Sequence, residues 1–137
     1  MTYFLDTNAV VAVLRNRPTT VRDRLDAVLV EGGAVALSSV ALFELWYGVA
    51  RSQHRRNNVE KLKIFLAGNV AIIPFEEEDA VQAGKLRADL ERAGTSIGPF
   101  DLLIAAQALR TGFTLVTANV SEFARVPGLR WRDWTAA

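Results

Sequence analysis

Four short apolar runs, at residues 3–5, 34–37, 70–73 and 113–117, are spaced along the chain with helix-like stretches between them. Each run is too short for a helix and is closed by polar residues, glycine or proline, as a buried strand would be. Residues 9–14 read as the first turns of a helix that Pro18 ends. Either Thr19 or Thr20 can cap a second helix, which runs to about Val30 and stops at Gly32-Gly33. Ser38-Ser39 caps a helix over 40–50, and a basic helix over 55–66 closes at Gly68-Asn69. Glu76-Glu77-Glu78-Asp79 suits the positive end of a helix running to about Arg92. After Gly98-Pro99 a further helix spans 100–110, and residues 129–132 predict a fifth strand at an edge. Strands alternating with helices imply right-handed crossovers and a mainly parallel sheet of four to five short strands with helices on both faces. No linker, repeat or low-complexity tract interrupts the 137 residues, so residues 1–137 are expected to be one α/β domain.

Three of the fifteen acids stand in apolar company: Asp6 after Tyr3-Phe4-Leu5, Glu44 between Phe43 and Leu45, and Asp101 between Phe100 and Leu102. A carboxylate buried alone is costly, so each must be neutralised, paired or metal-bound. No lysine or arginine lies at helical spacing from Glu44 or Asp101. Each acid also has an ordinary use. Asp6 can cap the helix that follows it, Asp101 can complement a helix dipole, and Glu44 can snorkel to the surface. A shared divalent cation would serve all three together. Asp6 ends the first strand, where open parallel sheets place their ligands, and Thr117 and Asn119 offer oxygens after the fourth.

Hard oxygen donors suit Mg2+ or Mn2+. The chain has no cysteine and one histidine, His54, which disfavours a zinc site and removes thiol chemistry. Ser38, Ser39 and Thr7 have no histidine partner in sequence reach, and Asn8 stands where an aspartate-based phosphotransferase would want a second acid. Cations held by acids can activate water and neutralise charge on a phosphodiester. The net charge of +1 says little, but Arg51, Arg55, Arg56, Lys61 and Lys63 cluster, as do Arg15, Arg17, Arg22 and Arg24, and Arg125, Arg130 and Arg132. Such groups serve equally as solvated faces or as phosphate contacts. No signal peptide or membrane span is visible, and the expected location is the cytoplasm.

Phe4-Leu5-Asp6-Thr7-Asn8, Ser39 with Phe43-Glu44-Leu45 and Gly48, Ile97-Gly98 ahead of Asp101 with Ile104-Ala105-Ala106, and Thr117 with Asn119 and Glu122-Phe123 occur in that order. In this the chain resembles PIN-domain nucleases, and among them the VapC-type toxins of bacterial toxin–antitoxin pairs. The resemblance extends over essentially the whole chain. It implies a three-layer α/β/α fold, dependence on Mg2+ or Mn2+, and endonucleolytic cleavage of RNA. It also implies that Asp6, Glu44 and Asp101 bind the metal. Family members often carry a fourth acid near the end of the fourth strand; here Asn119 stands there, with Glu122 three residues on, so either completes the site. Arg87 matches another frequent feature and is given a structural or RNA-side role. A homodimer and a cognate, inhibiting antitoxin, together forming a hetero-oligomer, are further implications. The helix over 40–50 is apolar nearly all round, which fits either burial against another chain or a place within one core. Trp131 and Trp134 are expected to pack in the core or at an edge. The alternative function is a non-catalytic RNA-binding or scaffolding module, for which the neutral Asn119 is the best support.

Overall fold

In the computed structural model, which describes residues 1–136, the elements are β1 (Thr2–Leu5), α1 (Thr7–Arg15), α2 (Thr19–Val30), β2 (Ala34–Ser38), α3 (Ser39–Ala50), α4 (Arg55–Leu66), β3 (Val70–Ile73), α5 (Glu77–Arg92), α6 (Pro99–Thr111), β4 (Thr114–Val116), α7 (Val120–Phe123) and β5 (Trp131–Arg132). The strands form one sheet in the order β3-β2-β1-β4-β5, and every pairing is parallel. Leu5 is in register with Leu37 on one side and Val116 on the other. The C-terminal ends of all five strands therefore share one edge. Beside β1 the strand order reverses, since the chain runs through β2 and β3 on one side and then crosses to β4 on the other, which makes the crevice there the place where such sheets hold ligands.

The pleat sends alternate side chains to opposite faces. Phe4, Ala36 and Leu115 meet Leu86, Leu90, Ile104 and Phe123 from α5, α6 and α7. Their sequence neighbours Leu5, Leu37 and Val116 meet Val10, Val21 and Leu62 from α1, α2 and α4. The result is three layers, helices on a buried sheet on helices, as expected for strands apolar on both faces. Helix α3 lies between the two cores: Ala41 belongs to the first and Leu45 to the second, with Val40, Trp46 and Val49 packed beside them. Most of its apolar surplus is thus used within the chain, and Phe43 and Tyr47 remain outside. Trp134 is buried and packs against Tyr3.

The expected elements agree with the observed ones to within a few residues, with two differences. The residue before α2 is Pro18, so Thr19 is its first helical residue and no side chain caps it. Helix α7 was not anticipated, because four residues are too few for a periodic signal. Among the described residues no helix is long and apolar enough to cross a membrane.

Candidate active site

Asp6 follows the last residue of β1 and is 3% exposed. Its Oδ1 accepts a 2.8 Å hydrogen bond from the Ala9 N–H, so it caps α1 as its ordinary reading foresaw. The cap occupies one oxygen face only. The Thr117 hydroxyl, just past β4, also donates to this carboxylate. Burial pushes the Asp6 carboxyl above the usual range; those two hydrogen bonds oppose the shift, and the charges of Glu44 and Asp133 add to it. Glu44 stands in the second turn of α3, where its Oε1 accepts a 2.7 Å hydrogen bond from the Thr7 hydroxyl. Thr7 opens α1, so the bond ties two helices that flank the same edge.

Asp101 lies in the first turn of α6, which Pro99 opens. Burial, then the charge and hydrogen bond of Glu122, then the charges of Asp6 and Glu44, push its carboxyl up to about 7. Glu122, on α7, moves the opposite way. Burial works against its charged form, but hydrogen bonds from the Gly98 N–H, the Asn119 amide and the Asp101 carboxyl, with Arg125 nearby, hold it below the usual range. The Gly98 N–H lies 2.6 Å from Glu122 Oε1, and Asn119 Nδ2 lies 2.7 Å from Oε2. Asp101 therefore keeps its proton to higher pH than Glu122 does. A Cβ at Gly98 would stand 3.3 Å from Glu122 Oε1, a tight contact, and 3.6 Å from Asp101 Oδ2, so a side chain there would press on the two acids.

Asp6, Glu44 and Asp101, which are far apart in the chain, thus feel one another's charge at one edge of the sheet, together with Glu122. Among the described residues none of these acids is in an ion pair with lysine or arginine. Uncompensated negative charge carried only by oxygen donors fits a hard divalent cation. The side chains are not drawn into a closed cage: among the described residues no three His, Cys, Asp or Glu surround a single point. That arrangement suits an ion which keeps several waters and takes one or two carboxylates, as Mg2+ does.

The other expectations sort cleanly. Asn119 spends its amide donor on Glu122 and takes a backbone bond to Thr117 Oγ1, so it orients the acids beside it. Arg87 pairs with Glu91 on the exposed face of α5, away from these contacts. Thr117, expected to offer an oxygen at this edge, donates to Asp6, while two contributors went unrecognised in the sequence: Thr7 as the partner of Glu44, and the Gly98 N–H. A third, Asp133, looked like a solvated acid among Arg130 and Arg132, yet its charge reaches Asp6.

Comparison with known proteins agrees in three ways. The family described as PIN domain matches residues 3–129. The chain is 40% identical over 134 residues to ribonuclease VapC2 of Rickettsia felis, with 98% of each chain covered. It is 37% identical over 133 residues to the tRNA(fMet)-specific endonuclease VapC of Shigella flexneri, covering 97% of this chain and 98% of that one. Among solved structures, VapBC2 from Rickettsia felis bound to a DNA fragment from their promoter superposes with a TM-score of 0.91 at 39% identity, covering 98% of this chain and 99% of that one. DNA-bound VapBC from Salmonella typhimurium superposes with a TM-score of 0.89 at 33% identity, covering 98% of each.

Proposed function

This chain belongs to the PIN-domain family, and from that premise we propose that it is a metal-dependent endoribonuclease, the toxin of a toxin–antitoxin pair, with residues 1–137 as one nuclease domain. The observation that carries the reading is the meeting of Asp6, Glu44 and Asp101 at one sheet edge with no basic side chain paired to them among the described residues. These three acids would hold the ion, Mg2+ or Mn2+, in part through its waters, and Glu122 would be the fourth acid, steadied by Asn119. A divalent cation bound among them supplies activation of water and charge neutralisation at the phosphodiester.

The chain's own residues prepare that chemistry. The Ala9 N–H and the Thr117 hydroxyl fix Asp6, and the Thr7 hydroxyl fixes Glu44, so both reach the reaction with their orientation already set. Gly98 and Asn119 favour the charged form of Glu122, and Asp101 is the acid that keeps its proton to higher pH. Release of that proton gives the site its full negative charge.

Similarity to a tRNA(fMet)-specific endonuclease makes transfer RNA the first substrate to try. An antitoxin of the VapB kind is the proposed inhibitor, with a homodimer of this chain inside the complex and the cytoplasm as the place of action. The test incubates purified protein with initiator tRNA and Mg2+ and maps the new ends. Discrete cuts by the wild type that vanish in Asp6→Asn, in Asp101→Asn and in excess EDTA are expected. Cleavage that persists in EDTA would overturn the metal mechanism.

A further inference from the structure

Gln107 stands in α6 within residues 104–108, which are buried throughout, and is itself 0% exposed. Its amide nitrogen donates to two backbone oxygens at the end of β3: Nε2 lies 2.9 Å from the Ile73 oxygen and 3.0 Å from the Pro74 oxygen. Its Oε1 is buried and has no partner among the described residues. The reverse orientation of the amide would set Oε1 against two carbonyl oxygens, so the donors must face β3. Methionine would fill this place without leaving a buried oxygen unsatisfied, so packing alone does not call for glutamine. What glutamine adds is direction.

The segment that Gln107 grips is tied at four successive residues. Gln107 holds Ile73 and Pro74, the Phe75 N–H donates to Ser39 Oγ at 3.0 Å, and the Glu76 N–H donates to Asp79 Oδ2 at 2.8 Å. Asp79 in turn pairs with Arg110, again on α6. Ser39 opens α3, which carries Glu44 in its second turn, and Asp101 stands six residues before Gln107, about 9 Å of helix. The backbone of 73–75 thus joins the helix of Glu44 to the helix of Asp101, with side-chain hydrogen bonds on both sides. Elsewhere these helices meet through apolar groups. Ala41 shares a core with Ile104 and Ala105, and the Phe43 and Phe100 ring centroids are 5.7 Å apart. Apolar contact is non-directional and does not fix how far one helix slides along another. We propose that Gln107 is a positioning residue for the metal site. Through residues 73–75 and Ser39 it sets the spacing of Asp101 from Glu44, and with it cation affinity and the rate of cleavage, while touching neither ion nor RNA. The proposal rests on the nuclease reading above and deepens it.

Gln107→Met keeps length and apolar bulk and removes both donors, and Ser39→Ala cuts the same link at its half-buried outer end. Val21→Ala, a core substitution on α2 in the opposite layer, serves as the control for lost stability alone. Mg2+ binding to the RNA-free chain is read by isothermal titration, cleavage by steady-state assays on initiator tRNA, and the Phe75 amide by hydrogen exchange. Gln107→Met and Ser39→Ala are each expected to weaken Mg2+ binding and lower kcat about tenfold, with KM nearly unchanged. The double variant should lose no more than either single one, since both cut one link. The Phe75 amide should exchange faster in Gln107→Met, although Gln107 does not bond to it. Val21→Ala should melt earlier yet bind Mg2+ as the wild type does. Wild-type Mg2+ affinity in Gln107→Met, losses that add in the double variant, or an equal loss of affinity in Val21→Ala would each overturn the proposal. Should Gln107→Met not fold, Ser39→Ala carries the same prediction, and wild-type affinity there would be as decisive. A wild type that cuts no RNA would remove the nuclease reading alone, because the Mg2+ titrations decide the positioning role without cleavage.

Discussion

A single side chain, Asp6, separates stability from chemistry. As the cap of α1 it accepts from Ala9, and as an acid it faces Glu44 and Asp101. Asparagine caps as well as aspartate, whereas alanine in place of a capping residue costs about 1 kcal/mol. Asp6→Asn should therefore melt like the wild type and Asp6→Ala should be destabilised by about that amount in urea titrations, while neither cuts RNA. Thr7→Val removes the hydroxyl that holds Glu44 at the cost of one hydrogen bond. Its stability should fall by about 1 kcal/mol, and its kcat should fall more steeply than its KM rises in single-turnover and steady-state assays. The pH dependence is set by Asp101 and Glu122. A raised carboxyl stabilises the fold when protonated, an effect lost as pH rises through about 7 for Asp101. A lowered one stabilises when charged, an effect present above the ordinary glutamate value of 4.5 for Glu122 and lost as pH falls through its lower folded value. The cation-free chain should thus be best held between these limits, and its Tm should drop as pH is taken from the acidic to the alkaline side of 7. Cation affinity, read by isothermal titration, should strengthen over the same interval, because Asp101 binds a cation as the carboxylate.

At the scale of elements, helices α5 and α6 are joined below the site by the Asp79–Arg110 ion pair. Asp79 is fully buried and also caps the start of its own helix, where its Oδ2 accepts from the Glu76 N–H. Arg110→Met leaves that carboxylate without its counter-charge, and the chain should lose about 3 kcal/mol on urea unfolding. Most elements were legible from the sequence for physical reasons that can be named. The strands are buried on both faces and so read as unbroken apolar runs, and glycine or proline marks most boundaries, as Gly112 does in a left-handed turn with φ 74°. What escaped was small or polar. Helix α7 is a single turn and Pro18 displaced the threonine cap expected for α2, whereas β5 was expected over 129–132 and is only shorter, at two residues. Asp6, Glu44 and Asp101 could be singled out because apolar neighbours make an acid conspicuous. Glu122 could not be chosen over Asn119, since Ser121-Glu122-Phe123-Ala124-Arg125 reads as surface and the Gly98 N–H that holds the acid is 24 residues away.

Across the whole molecule, the acids arrive from different sides of the sheet. Asp6 and Thr7 belong to the layer of α1, Asp101 and Glu122 to that of α6 and α7, and α3 carries Glu44 between them. An ion held from both sides would act as a rivet through the sandwich. Adding Mg2+ should therefore raise the midpoint of thermal unfolding in calorimetry by mass action, about 2.7 kcal/mol at a hundredfold excess over its Kd. Amide exchange should slow together in the opening turns of α1 and α6, two stretches that share no backbone bond. A toxin built this way becomes sturdier as it becomes armed.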